Sequence, residues 1–362
     1  MTEVPSSVRR TDRKKPRGSK RLVAIALLVL GILVVIAGVS AWWLLFKPAN
    51  PLAKGAPVTI DIAKGSSAAQ IAEKVAQAGV VPNALMFRLK ARNSKISGQF
   101  KPGTYALATG MPYELVFDKL ATGPDVVYFD VTIPEGYTAI RVAEKIASTT
   151  GISLEELTRL VTTGAPEFAA QHPYLVGAEG GSLEGFLFPK TYRIKKGTSA
   201  KAAIGLLLDQ FDKEIAAVDM TYAKSKNLTV TDVVIIASIL ERETNLDKEY
   251  PLVASVIYNR LHAKKRLQLD STIFYTLPEG TKIITKQDLA KVTPYNTYRR
   301  SGLPAGPICN PGFKALDAAA NPAETKYVFY VLTSKDGSQT FTTNYADHLK
   351  AVEKYRQVFG IK

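Results

Sequence analysis

Between Leu22 and Phe46 the chain runs for 25 residues without a charged side chain. At a rise of about 1.5 Å per residue, that exceeds the roughly 20 residues a helix needs to cross the hydrocarbon core of a bilayer. A helix buried inside a soluble domain is seldom so long or so uniformly apolar. A cleaved leader would have a shorter apolar region and a small-residue cleavage site, and Trp42-Trp43-Leu44-Leu45-Phe46 offers none. The stretch is therefore expected to span a membrane once. Arg9, Arg10, Arg13, Lys14, Lys15, Arg17, Lys20 and Arg21 precede it, against only Glu3 and Asp12. That bias places the N-terminus in the cytoplasm, and Trp42 and Trp43 fall where an aromatic belt would mark the opposite interface. The residues after the span are then expected on the extracytoplasmic side of the plasma membrane.

The net charge is +15, and the part that lies beyond the basic tail is spread along the chain. Such a spread suits an acidic polymer or an anionic membrane surface. No nucleic-acid-binding motif accompanies it, so nucleic acid is not an expected partner. Cys309 is the single cysteine, which excludes an intrachain disulfide and leaves stability to packing. His172, His262 and His348 are far apart and show no metal-ligand spacing, so no metal is expected. Neither a nucleophile elbow, a P-loop nor a dinucleotide fingerprint is present, and no cofactor is implied.

In chain order, residues 1–21 read as a polar basic tail, 22–46 as the span and 47–57 as a Pro-, Ala- and Gly-rich linker. An internal repeat follows. VTIDIAKGSSAAQIAEKVAQAGVV (58–81) resembles DVTIPEGYTAIRVAEKIASTTGI (130–152) at a constant offset of 71, which matches Ile62 with Ile133 and Gly65 with Gly136. Each copy reads as a short alternating strand, a Gly turn, a Ser or Thr cap and an amphipathic helix. Two copies are too few for a solenoid. They look like the opening of a LysM-type module, a small fold that holds N-acetylated glycan; the alternative is a βα unit used only as structure. Residues 58–124 are assigned to this LysM-like module, with Gly123-Pro124 as its boundary.

Residues 126–362 read as a larger mixed α+β domain. Helices are expected at Leu154–Thr162, Ala200–Val218, Thr231–Arg242, Pro251–Ala263 and Asp347–Phe359, a loop-and-strand stretch at Ser182–Pro189, and a strand pair around Asp336-Gly337. The chemistry concentrates in Thr231–Thr276. As a helix, Val230, Val234, Ala237 and Glu241 share one stripe, while Glu243 shares another with Ile236 and Ile239. A helix apolar on both sides is buried, and either glutamate would sit where ionisation is disfavoured. Such an acid keeps its proton near neutral pH and can give it to a glycosidic oxygen. The competing reading pairs one glutamate with Arg242, Lys248 or Arg260 and leaves the other in water. Spacing alone does not choose between the two acids.

ASILERET (237–244), VASVIYNRL (253–261), LQLDSTIFY (267–275), PYNTYRRSGLPAGPICNPG (294–312) and FTTNYADH (341–348), with SLEGFLFPKTY (182–192) upstream, resemble the YceG-like family, the endolytic murein transglycosylases. The order is the family's, the likeness runs from about residue 58 to 362, and a single N-terminal membrane helix agrees with it. One departure is Cys309, at a position where the family tends to hold a small or polar residue. The resemblance implies cleavage of the β-1,4 bond between N-acetylmuramic acid and N-acetylglucosamine within nascent strands, without water. The 6-hydroxyl of the muramic acid attacks and leaves a 1,6-anhydro end. It also implies that Glu241, the first glutamate of ASILERET, is the catalytic acid.

When the nucleophile belongs to the substrate, one glutamate can protonate the leaving oxygen and then take the hydroxyl proton, where an ordinary glycosidase commonly needs two carboxylates. Glu184 and Asp270 are the other acids of note, expected to orient the surroundings of Glu241 or to hold sugar hydroxyls. Asn259, Gln268, Asn296, Tyr298 and Asn344 are expected along a glycan groove, although each is also a natural loop-fixing hydrogen bonder. The expected partners are peptidoglycan strands, the membrane and peptidoglycan synthases. Two rivals stand beside this reading. One is a water-using muramidase with Asp270 or Glu184 as base, and the other is a non-catalytic glycan-binding scaffold.

Overall fold

A computed structural model of the chain describes residues 19–46 and 55–360. The basic tail at 1–21 and the linker at 47–57 fall largely outside the described residues. The apolar stretch forms one continuous helix, α1 (Ser19–Phe46), whose side chains from Leu22 to Trp43 are all exposed. Among the described residues it is the one helix long and apolar enough to cross a membrane.

The rest divides between Val126 and Val127 into two compact units. In the first, β1 (Pro57–Ile62) leads into α2 (Ala68–Gln77), α3 (Ala84–Asn93), β2 (Gly103–Ala108) and α4 (Tyr113–Thr122). β1 and β2 pair antiparallel, with Ile60 opposite Tyr105. The expected cap is present: Ser67 and Gln70 form a reciprocal capping box at the start of α2. Helix α3 has no counterpart in the sequence reading. Asn83 starts it, its side chain accepting from the N–H groups of Leu85 and Met86. Its Phe87 packs edge-on against Phe117 of α4, with ring centroids 4.9 Å apart, in a core shared with Ile60, Ile71 and Val75.

The second unit opens with β3 (Tyr128–Thr132) and α5 (Ala139–Thr150), the second copy of the repeat, again with a glycine in the left-handed region (Gly136, φ 73°) and a hydroxyl cap (Thr138). α6 (Leu154–Thr163) and the short α7 (Ala165–Phe168) follow, then β4 (Thr191–Lys195), which pairs antiparallel with β3. α8 (Ala200–Ala217), α9 (Thr221–Ser225), α10 (Val230–Glu243), α11 (Tyr250–His262), α12 (Asp270–Phe274), α13 (Lys286–Ala290) and α14 (Phe313–Ala320) make up the body. The hairpin β5 (Phe329–Leu332) and β6 (Gln339–Thr342) and helix α15 (Tyr345–Phe359) close it. The sheets of the described residues are three two-stranded pairs, an α+β arrangement in which helices supply most of the core.

Helix α10 is the centre of this core. Its eight residues from Val233 to Leu240 are all buried, and it packs against α14, α11 and α12. One expectation needs correction. Ser182–Pro189 contains no strand, and the ladder begins only at Thr191. The N–H groups that a strand would have used go elsewhere. Gly185 and Leu187 donate to the side chain of Asn310, and Phe186 donates to the Leu183 carbonyl. Gly185 makes this loop possible at φ 91°. A Cβ there would lie 2.5 Å from the Pro307 ring and 2.8 Å from Val234 Cγ1. Gly185→Ala is therefore expected to destabilise the fold by about 2 kcal/mol or more. A drop in thermal unfolding temperature would register the loss; unchanged stability would show that the Ser182–Pro189 loop relaxes freely.

Candidate active site

Glu241 lies in the last turn of α10, one turn beyond Ser238. The segment Ile308–Gly312 runs alongside and is stitched to the helix at both positions. Ile308 N–H donates to Ser238 Oγ at 3.1 Å, the buried Cys309 thiol donates to the Ser238 carbonyl at 3.3 Å, and Gly312 N–H donates to Glu241 Oε2 at 3.1 Å. On the other oxygen, Glu241 Oε1 accepts the hydroxyl of Tyr250 at 3.3 Å. Burial pushes this carboxyl up from the ordinary glutamate range. The Gly312 hydrogen bond opposes that rise, the Glu135 charge adds to it, the Tyr250 bond opposes it, and Asp247 adds a little more.

Glu243, two residues on, points elsewhere. Its carboxyl accepts from Tyr330 Oη at 2.9 Å beside Ser271, its main-chain carbonyl accepts from Gln339, and burial pushes it up as well. Among the described residues neither glutamate forms an ion pair with Arg242, Lys248 or Arg260. Arg260 instead donates to the carbonyls of Val328 and Leu267.

A cavity of about 660 Å³ opens beside α10, lined by Gly136, Thr138, Arg141, Glu184, Arg242, Ser271 and Tyr275 among others. A Cβ on Gly136 would meet Glu241 Cγ at 3.6 Å, so Glu241 lies behind that lining glycine, next in sequence to Arg242, which lines the cavity. Arg141 stacks over the Tyr137 ring at 4.1 Å and reaches Glu279 at 3.5 Å. Glu184 forms part of the wall and is buried. Its Oε1 accepts from Ala139 N–H (2.9 Å) and the Asn310 amide (3.2 Å), and its Oε2 accepts from Tyr275 Oη (3.3 Å). Desolvation outweighs these bonds and pushes Glu184 up to about 8, so it is predominantly neutral at pH 7.

The other sequence-predicted residues fall in distinct places. Asp270 opens α12 next to Ser271 and accepts the Tyr298 hydroxyl at 2.5 Å. Gln268 has an exposed side chain on left-handed backbone (φ 52°). Asn296 is buried and holds its loop, donating to the Leu289 and Lys291 carbonyls. Asn259 donates to the carbonyls of Thr325 and Tyr327 and lines a separate cavity of about 360 Å³. Asn344 caps α15. The sequence reading assigned no role to Glu135, Tyr250, Asn310 or Gly312, and gave Gly136 only that of a turn. One signal was available, because the repeat places Glu135 opposite Lys64 of the first copy, a reversal of charge at matched positions. Elsewhere, ligand atoms of His172, Asp209 and Asp212 lie within 4.8 Å of one another, with the Asp212 oxygens already bonded by His172 and Tyr174.

Compared with known proteins, residues 60–354 match the sequence model of the YceG-like family. Two proteins of Streptococcus pneumoniae, each described as an endolytic murein transglycosylase, are 31% identical to the chain over 322 residues. The match covers 82% of this chain but 58% of theirs, so the chain spans less than two thirds of the length of those relatives. An endolytic murein transglycosylase of Bacillus subtilis is 31% identical over 307 residues, covering 82% of this chain and 84% of its own. A crystal structure of a YceG-like protein from Listeria monocytogenes superimposes with a TM-score of 0.55 at 29% identity, covering 82% of this chain and 99% of that one.

The burial of Glu184 has a consequence for stability. Its folded value is raised from 4.5 to about 8, so the fold retains a proton that the unfolded chain releases. The stabilisation is complete below the unfolded value and is lost as pH rises through the folded one. Glu184→Gln keeps an acceptor oxygen and removes the ionisation. Between about pH 5 and about pH 9 its stability is expected to fall less than that of the wild type, with a gap in unfolding free energy at the alkaline end on the order of a few kcal/mol. Parallel curves in calorimetry would mean that Glu184 does not titrate in this range.

Proposed function

Because the chain belongs to the YceG-like family, we propose that it is a membrane-anchored lytic transglycosylase that cuts within nascent peptidoglycan strands, with Glu241 as its catalytic acid. The observation that carries this reading is the setting of Glu241. It is a carboxyl at the end of a buried helix, pushed up by burial, lying behind the Gly136 wall of a cavity and held by one main-chain N–H and one phenol. A protonated Glu241 gives its proton to the glycosidic oxygen as the bond between N-acetylmuramic acid and N-acetylglucosamine breaks. The carboxylate so formed is stabilised by Gly312 N–H and the Tyr250 hydroxyl. It then takes the proton of the muramic 6-hydroxyl as that oxygen closes on C1, which restores the acid and leaves a 1,6-anhydro end.

The water-using alternative requires an ionised base near neutral pH. Glu184 is held largely neutral there, and Asp270, which accepts the Tyr298 hydroxyl, does not line the cavity. Residues 58–124 are proposed as a LysM-like module that holds glycan. In its support, β1, the Gly65 turn, the Ser67 cap and α2 follow one another in the expected order. Helix α1 is proposed as the single-pass anchor, N-terminus in the cytoplasm and the catalytic domain outside. A tether there raises the local concentration of enzyme at newly made strands, where synthases would be its neighbours.

Full-length protein in detergent, incubated with purified peptidoglycan and analysed by mass spectrometry, is expected to give anhydro-muramic ends. Glu241→Gln should lower their rate by about 10²–10⁴-fold. Products heavier by one water would transfer the reading to a muramidase, and intact glycan bound tightly by both proteins would transfer it to a scaffold. Protease added outside spheroplasts should degrade residues 55–360; their protection would reverse the proposed orientation.

A further inference from the structure

Glu135 lies in the turn before α5, at the position that Lys64 occupies in the first repeat copy. Its exposed carboxyl is seated over Gly312, where a Cβ would come within 1.9 Å of Glu135 Oε1. The same Gly312 donates its N–H to Glu241 Oε2 at 3.1 Å. The two carboxyl groups thus flank one backbone residue, with oxygens no more than about 8 Å apart by the bond lengths between them. That is inside the roughly 10 Å over which charges interact at 0.1 M salt.

Charged or titratable groups lie near Glu241 on several elements. Arg242 is its neighbour on α10, Asp247 precedes α11, Tyr250 lies on α11, and the buried Cys309 thiol lies on the segment before α14. Lys314 of α14 is ion-paired with Asp247 and also feels the Glu135 charge more weakly. Glu135 takes part in no ion pair among the described residues.

We propose that Glu135 is a positioning residue for the reaction described above, its charge acting across Gly312 to keep the proton on Glu241 until the leaving oxygen takes it. Gly312 is then glycine for a physical reason, because any side chain there would displace the Glu135 carboxyl. Its backbone (φ −79°, ψ 172°) is open to other residues, so the restriction comes from space and not from torsion. The balance of effects on Glu241 agrees. After burial, which is the largest, Glu135 raises it more than Asp247 does. The proposal rests on Glu241 being the acid of the proposed transglycosylase.

The test uses the full chain in detergent micelles, labelled with ¹³C at glutamate side-chain carboxyls, the Glu241 signal being identified by its loss in Glu241→Gln. In Glu135→Gln the Glu241 titration midpoint is expected to move down by a few tenths of a pH unit to about one unit. The alkaline limb of peptidoglycan cleavage should move down with it, since less Glu241 keeps its proton at a given pH. Glu135→Asp, which keeps the charge, should restore most of the shift. Gly312→Ala, which pushes the Glu135 carboxyl away, should act in the same direction as Glu135→Gln. Raising salt should move the wild-type midpoint down and leave that of Glu135→Gln nearly still.

An unmoved midpoint in Glu135→Gln would overturn the proposal. So would a slower reaction with no shift and no rescue by aspartate, which would make Glu135 part of the turn's packing only. If the wild type released no anhydro ends, the proposed function would fail, and the Glu241 titration would still decide the electrostatic link.

Discussion

One buried carboxamide, that of Asn310, joins the three segments from which the site is built. Its Oδ1 accepts from Gly185 and Leu187, and its Nδ2 donates to the Tyr137 carbonyl and to Glu184. Its own backbone exchanges bonds with the 136–137 turn, giving N–H to Tyr137 and accepting from Gly136. A fully buried amide is tolerable only when its donors and acceptors are met, and here they are. The turn before α5, the loop before β4 and the segment before α14 are far apart in sequence and share no sheet. Asn310 gives them a common reference, and Gly136, Glu184 and Gly312 take their positions from it.

Around that joint the dominant electrostatic force is desolvation. Glu184, Glu241 and Glu243 are all pushed toward the neutral form by burial, and the phenols of Tyr250, Tyr275 and Tyr330 beside them are pushed up too. The surroundings are not equivalent. Glu184 is bonded on both oxygens in the cavity wall and Glu243 is held beside Tyr330 and Ser271, whereas Glu241, half-buried behind Gly136, has one main-chain donor in place for its charged form. An acid that must lose and regain a proton needs both conditions, a raised affinity and a stabilised conjugate base.

The repeat shows how one local design serves two ends. Both copies have a strand, a left-handed glycine, a hydroxyl cap and an amphipathic helix, and each strand pairs antiparallel with a later one. In the first copy the turn carries Lys64 and Gly65; in the second it carries Glu135 and Gly136, which lie against Gly312 and Glu241. The helix faces in both copies went to their own cores. The turns differ at one residue, Lys64 against Glu135, and the neighbours of Glu135 come from the other end of the domain.

Much of this was legible along the chain. The uncharged run from Leu22 to Phe46, the caps at Ser67 and Thr138, the hairpin at Asp336-Gly337 and the buried character of α10 are local properties of periodicity, charge and turn chemistry. Helix α3 went unread because its start signal, Asn83, stands alone without a strong apolar stripe behind it. The absence of a strand at Ser182–Pro189 was also beyond local rules, since a residue more than a hundred positions away takes the N–H groups. What only the tertiary structure decided was the direction of each glutamate: helical spacing put Glu241 and Glu243 on different stripes of one buried helix and stopped there. Which of them would meet Gly312, Tyr250 and Glu135, and which Tyr330 and Ser271, depends on contacts between distant segments. Desolvation and hydrogen bonding are set by those neighbours in space, and the order of residues does not contain them.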